Sequence, residues 1–158
     1  VGNLTPTKVG NLIPTLTFHR RSKVISKLFD YINLFLHNSW IPSECDIGKG
    51  VTFSYSGIGV VIHKKSKIGD YCIIGSGVTI GTRGNEKVPV IEHHVNIGSG
   101  AKILGDILIG HHSIIGPNAV IIHDVPPFSI VVGVPGRVIK TIDDKNNRDY
   151  VLYFRTDE

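Results

Sequence analysis

The sequence predicts an all-β solenoid, a parallel β-helix of triangular coils led by one short helix, and three observations carry that prediction. A large apolar residue, usually isoleucine, returns every sixth position at Ile41, Ile47, Phe53, Ile62, Ile68, Ile74, Ile80, Ile91, Ile97, Ile103, Ile109, Ile115 and Ile121. Glycine follows many of these markers, as in Ile68-Gly69, Ile74-Gly75, Ile97-Gly98 and Ile115-Gly116. Four residues beyond a marker comes a small or β-branched side chain, such as Val51, Ser66, Cys72, Val78, Val95, Ala101, Ser113 or Ala119. A period of six matches neither a helix nor simple strand alternation, and it requires one short strand and one turn per repeat. Three such strands close a coil, and stacked coils share a core that no single strand can bury alone. Glycine after the marker suits a corner with positive φ or a close backbone approach.

Residues 1–40 read as an N-terminal arm and an amphipathic capping helix. The arm holds a near-duplicate, Val1-Gly2-Asn3-Leu4 and Val9-Gly10-Asn11-Leu12, each followed by a Pro-Thr pair, and its Pro and Gly content argues against helix there. From Arg20 to Asn38, Val24, Ile25, Leu28, Phe29, Ile32, Phe35 and Leu36 recur at helical spacing. The basic start of this segment allows a membrane-surface reading, but packing on the first coil is expected, because repeat proteins need capped ends. Residues 41–140 form the β-helix, with the sixfold spacing running from Ile41 to Val125.

Two insertions break the spacing, three extra residues between Phe53 and Ile62 and five between Ile80 and Ile91. Insertions in a solenoid leave the coil as loops, where function tends to sit. Val125-Pro126-Pro127 ends the regular repeat, since proline cannot donate to a ladder. Extended chain returns over Val131 to Ile139, and residues 141–158 are a C-terminal tail, polar and then aromatic at Tyr150, Tyr153 and Phe154.

A chain of 158 residues has room for one domain with a substantial core. The net charge of +4 is scattered over corners and ends without interleaved aromatic platforms, which argues against a nucleic-acid partner. Basic residues near a ligand carrying several phosphates fit better. Cys45 and Cys72 both fall on small inward positions, so buried free thiols in a reducing, cytoplasmic setting are expected. No signal peptide and no transmembrane segment are expected either.

The stretches Gly57-Ile58-Gly59-Val60-Val61-Ile62-His63, Ile68-Gly69-Asp70, Gly77-Val78-Thr79-Ile80-Gly81, Ile97-Gly98-Ser99-Gly100-Ala101-Lys102-Ile103-Leu104-Gly105 and Val132-Gly133-Val134-Pro135-Gly136-Arg137 resemble the hexapeptide-repeat acyltransferases, in particular their serine acetyltransferase-like branch. The resemblance implies a left-handed coil, a homotrimer, and acetyl-CoA held in a groove between subunits, with no metal expected. Left-handed crossovers run against the general rule for parallel strands, so the handedness comes from the resemblance alone. The chain also departs from that branch. Tyr55-Ser56 stands where an Asp-His pair is found in those enzymes, Val88 stands at a second His, and a single leading helix replaces a large helical domain. In these respects it looks more like relatives that O-acetylate sugars for surface polysaccharides.

The expected function is therefore acetyl-CoA-dependent O-acetylation of a hydroxyl on a sugar or surface-polysaccharide precursor. Serine or another small acceptor is the alternative, an amino-sugar N-acyltransferase is the third reading, and a non-catalytic scaffold is the rival of another class. Acetyl transfer needs a base, a donor for the developing oxyanion, and positioning of both substrates. His63 follows a repeat marker at a corner where both insertions converge, which makes it the candidate base; an exposed corner histidine beside Lys64 and Lys65 is the plain alternative.

The resemblance places Gly81, Thr82, Ser99, Gly100, Ala101 and Pro117 along the pantetheine arm, and Lys102, Arg137 and Lys140 near the nucleotide phosphates. Tyr55 and Ser56 are candidates for acceptor contact. His93-His94 and His111-His112, eighteen residues apart, stack one coil over the next at about 4.8 Å. Such a ladder can bind a divalent metal, or can simply be exposed. A metal site of the γ-carbonic-anhydrase type would need three histidines converging between subunits.

Overall fold

The computed structural model describes residues 23–84 and 86–143. It is a left-handed β-solenoid of about four turns, with parallel sheets and, among the described residues, a single short α-helix. The first coil holds β1 (Asp46–Ile47), β2 (Thr52–Phe53) and β3 (Val61–Ile62). The second holds β4 (Lys67–Ile68), β5 (Ile73–Ile74) and β6 (Thr79–Gly81); the third holds β7 (Val90–Ile91), β8 (Asn96–Ile97) and β9 (Lys102–Leu104). The fourth holds β10 (Leu108–Ile109), β11 (Ile114–Ile115) and β12 (Val120–Ile121). A final hairpin, β13 (Ser129–Val132) and β14 (Arg137–Thr141), follows the prolines.

Equivalent strands stack into three sheets. Sheet A runs β12-β9-β6-β3, sheet B runs β1-β4-β7-β10, and sheet C runs β14-β13-β11-β8-β5-β2. All pairs are parallel except β13–β14, where the chain turns back and closes the end of sheet C. The register aligns marker with marker, for instance Ile62 with Ile80 and Ile80 with Ile103. The sixfold repeat has a direct physical reading here, because each marker points inward and stacks on its equivalent one coil away. Ile62, Ile74, Ile80, Ile91, Ile97, Ile103, Ile109 and Ile115 are essentially inaccessible, and Val60, Val78, Val95, Ala101 and Ala119 fill the space at the inner corners. Cys45 and Cys72 are buried free thiols at that small position. Burial pushes their pKa values up to about 12 and about 11, so neither is a thiolate at neutral pH.

The leading helix α1 spans Lys23–His37 and precedes the first coil. Among its described side chains, Leu28, Tyr31, Phe35 and Leu36 are exposed and Asp30 is buried. Its carboxylate accepts from Ser43 N–H at 3.0 Å and from the Ser43 hydroxyl at 3.1 Å. In the following segment, Trp40 bridges Val61, accepting from Ile62 N–H and donating to the Val60 carbonyl, so the chain itself adds a rung below sheet A. The arm and the aromatic part of the tail lie outside the described residues.

Candidate active site

Sheet A and its two bordering corners carry most of the residues singled out by the sequence. Its outward positions are Val61, Thr79, Lys102 and Val120, one per coil, since their strand neighbours Ile62, Ile80, Ile103 and Ile121 face the core. Trp40 extends this strip below, and the Gly133–Gly136 turn extends it above through Val120 N–H to the Gly133 carbonyl and Gly136 N–H to the Val120 carbonyl.

The corner between sheets C and A is a column of left-handed residues: Gly59, Gly77, Gly100 and Asn118, with φ of 70°, 66°, 77° and 56°. Backbone bonds tie the column together, from Gly77 N–H to Ile58, Gly100 N–H to Ser76 and Asn118 N–H to Ser99. Ser99, Gly100 and Pro117 lie here, and the Ser76 and Ser99 hydroxyls meet at 3.2 Å. Ala101, beside them, faces the core and is fully buried; its N–H bonds Gly98 and its carbonyl accepts from Thr79, so it supports the strip from beneath.

Tyr55 and Ser56 stand at the same edge, on the first coil. Both are forced to positive φ, 52° and 57°, a conformation that side chains other than glycine adopt at a cost of about 1–3 kcal/mol. The insertion is held in that shape from below: Gly59 N–H donates to the His37 carbonyl and the Ser39 hydroxyl donates to the Gly57 carbonyl. Tyr55 projects into solvent, at 77% exposure. Ser39 carried no signal in the sequence, because its contact depends on the chain rung beneath sheet A.

The opposite edge, between sheets A and B, holds His63, Gly81 and Thr82. Register places Gly81 directly over His63. His63 is half-buried, its carbonyl accepts from Cys45 Sγ, and its Nδ1 accepts from Lys65 N–H at 3.2 Å. In the neutral ring the proton is therefore on Nε2. Gly81 is unlike its repeat equivalents: a Cβ built on it would meet nothing within 4 Å, whereas one on Gly75 or Gly98 would strike the next coil's backbone at 2.4 Å or 2.6 Å.

The insertion after Gly81 is tethered to its own coils by Lys65–Glu86 below and Lys87–Asp106 above. The Asp106 carboxylate, by hydrogen bond and charge, raises the Lys87 pKa. Lys102 lies across the strip, its ammonium donating to the Gly77 carbonyl at 2.8 Å and to the Thr79 hydroxyl at 3.1 Å. Arg137 is exposed just above the strip, while Lys140, opposite Ile130, sits on the last strand of sheet C. The structure thus gathers His63, Gly81 and Thr82 on one edge and Ser99, Gly100, Pro117, Tyr55 and Ser56 on the other, so the two insertions flank sheet A rather than converging on the His63 corner as expected: the first leaves before β3 and the second after β6. Lys102 lies between the two edges and Lys140 lies apart.

The repeat and coil define a hexapeptide-repeat protein, and a family model described as bacterial transferase hexapeptide (six repeats) matches residues 89–123. More particularly, the chain is similar to serine acetyltransferases. It is 38% identical over 125 residues to the one from Synechococcus elongatus, covering 77% of this chain and 51% of that protein. It is 37% identical over 135 residues to the one from Bacillus subtilis, covering 84% and 62%. Among solved structures, a Brucella abortus serine acetyltransferase in complex with coenzyme A superposes with a TM-score of 0.72 at 30% identity, covering 77% of this chain and 49% of that one. A serine acetyltransferase in complex with cysteine gives 0.72 at 31% identity, covering 84% and 53%. The chain therefore spans between about half and three-fifths of the length of these relatives.

Proposed function

We propose that this chain is an acetyl-CoA-dependent O-acetyltransferase whose reaction runs on the outer strip of sheet A, with serine or a similarly small acceptor as the first candidate. The observation that carries this reading is the strip itself: a solenoid similar to serine acetyltransferases over 84% of the chain, with small residues along one edge and an unobstructed glycine corner beside a histidine on the other. Small residues let an extended thioester arm lie close to backbone amides.

His63 takes the acceptor's hydroxyl proton through Nδ1, its basic nitrogen, once the ring exchanges its long contact with Lys65 N–H for the substrate; that exchange forfeits about 0.5–1.5 kcal/mol. As the O–H bond breaks, a C–O bond forms at the thioester carbonyl, and a backbone N–H at the Gly81–Thr82 corner stabilises the oxyanion. The C–S bond then breaks, and the His63 imidazolium returns its proton to the departing thiolate. Lys102 and Arg137 meet the nucleotide phosphates by charge-assisted hydrogen bonds, with Lys102 exchanging the Gly77 carbonyl for phosphate.

Assembly as a trimer would add a neighbour's surface to the strip, and the exposed apolar residues Val61, Val90 and Leu108 on two sheets fit burial in such contacts. A sugar hydroxyl is the second reading, favoured by Tyr55-Ser56, whose strained and exposed conformation alters the edge where acceptor specificity would be set.

The test is release of free thiol from acetyl-CoA with a panel of L-serine, sugars and amino sugars. Acceptor-dependent release is expected, with the preferred compound identifying the class, and His63→Ala or His63→Asn should lose about 100-fold or more in turnover with the fold intact. Absence of release with every acceptor would point to a scaffold, and near-normal turnover of both variants would remove His63 from the mechanism.

A further inference from the structure

The corner between sheets B and C, opposite sheet A, holds a second cluster with its own chemistry. His93 stacks on His111 with ring centroids 5.0 Å apart and planes within 3°, and His94 stacks on His112 at 4.7 Å and 6°. Across the corner, His93 Nδ1 and His94 Nδ1 are 2.9 Å apart, and His111 Nδ1 and His112 Nδ1 are 3.1 Å apart. One ring nitrogen from each of His93, His94 and His112 lies within 4.8 Å of the other two. Tyr71 stacks on His94 from below and Phe128 on His112 from above, which walls the His94–His112 column at both ends, while His93 stands edge-on to both of those rings at 88°. The backbone fixes their positions through His94 N–H to the Asp70 carbonyl and His112 N–H to the His93 carbonyl, with φ of 55° at both residues. Glu92 accepts from His111 N–H at 2.8 Å, and a depression of about 410 Å³ lined by Gly69, Asp70, Tyr71, Glu92, His93 and His94 opens beside the cluster.

We propose that His93, His94 and His112 form a binding site for a borderline divalent transition-metal ion such as Zn²⁺, with His111 and Glu92 supporting it. Neutral imidazoles are the ligands such ions prefer, and the depression leaves room for water to complete the coordination. A set of nitrogens without an oxygen cage disfavours Ca²⁺ and Mg²⁺. Nitrogens about 2.0–2.1 Å from a tetrahedral zinc sit roughly 3.4 Å apart and each ring must aim its in-plane lone pair at the ion, so binding requires the stacked His94 and His112 rings to rotate out of their parallel arrangement about their side-chain torsions. The ligands come from the third and fourth coils, so the ion clips one coil to the next and stabilises the fold by binding only the folded chain. This site lies across the solenoid from sheet A and takes no part in acetyl transfer.

The test uses the full chain, stripped with chelator and titrated with Zn²⁺ or Co²⁺ alone. One saturable equivalent per chain, a visible Co²⁺ ligand-field band and a higher Tm with Zn²⁺ are expected. His93→Gln and His112→Asn should each weaken binding at least about tenfold, and asparagine keeps the left-handed backbone at 112. His123→Asn, on a different corner, should bind like the parent. No saturable binding, or unchanged affinity in both His93→Gln and His112→Asn, would overturn the site.

Discussion

At the scale of single residues, what a glycine does depends on the coil above it. A methyl group at Gly98 would sit 2.6 Å from Pro117 N, and one at Gly75 would sit 2.4 Å from Ser99 N, so these glycines allow adjacent coils to touch. At Gly81 the same methyl would project into open space. Gly98→Ala is therefore expected to destabilise the fold by about 1–3 kcal/mol through overpacking, while Gly81→Ala should change stability by less than about 0.5 kcal/mol and lower acetyl transfer. Denaturant melts of the two variants beside a thiol-release assay separate packing from function; equal destabilisation would refute the distinction. The sequence presents both glycines identically, after an isoleucine marker. Only the register, which stacks Gly98 against Gly116-Pro117 and leaves Gly81 under a departing loop, tells them apart. The buried thiols, by contrast, were legible, because Cys45 and Cys72 occupy the inward position of their repeats.

Among elements, the helix shows the limits of an amphipathic pattern. Its apolar residues are plain in the sequence, but periodicity reports which face is apolar and not which way that face points. Asp30 with Ser43 and the rung at Trp40 tie the helix and its following segment to the first coil, through contacts that the helical spacing does not mark. Asp30→Ala should leave the Ser43 N–H unpaired, cost about 1–3 kcal/mol, and speed amide exchange across residues 27–37; Asp30→Asn retains an acceptor and should exchange nearly as slowly as the parent. Burial raises the Asp30 pKa against the lowering effect of its Ser43 hydrogen bonds. A raised folded pKa means that the associated stability is complete below the unfolded value and is lost as pH climbs through the folded one, a dependence that Asp30→Asn should abolish. Unchanged exchange in Asp30→Ala would show that the helix is held elsewhere. The insertion after Gly81 was legible as a loop from its broken spacing, but its Lys65–Glu86 and Lys87–Asp106 tethers join neighbouring coils and so required the stacked geometry.

For the whole molecule, a single number, the six-residue period, specifies the strands, the three sheets and the stacking of marker on marker. That is why the fold was readable throughout the described coils. The period treats all three corners alike, so it does not say which one meets a ligand; that distinction comes from the insertions and from what stands in each column. Glycines, serines and Asn118 border sheet A on one side, His63 and the open Gly81 border it on the other, and the far corner carries the imidazole ladder.

The central claim is that the sheet A strip is the acetyl-CoA surface, and amide hydrogen exchange with and without coenzyme A tests it most directly. Slower exchange on ligand binding is expected at residues 76–83 and 99–105, with residues 92–94 and 110–112 unchanged. Protection confined to the histidine corner, or none at the edges of sheet A, would contradict it.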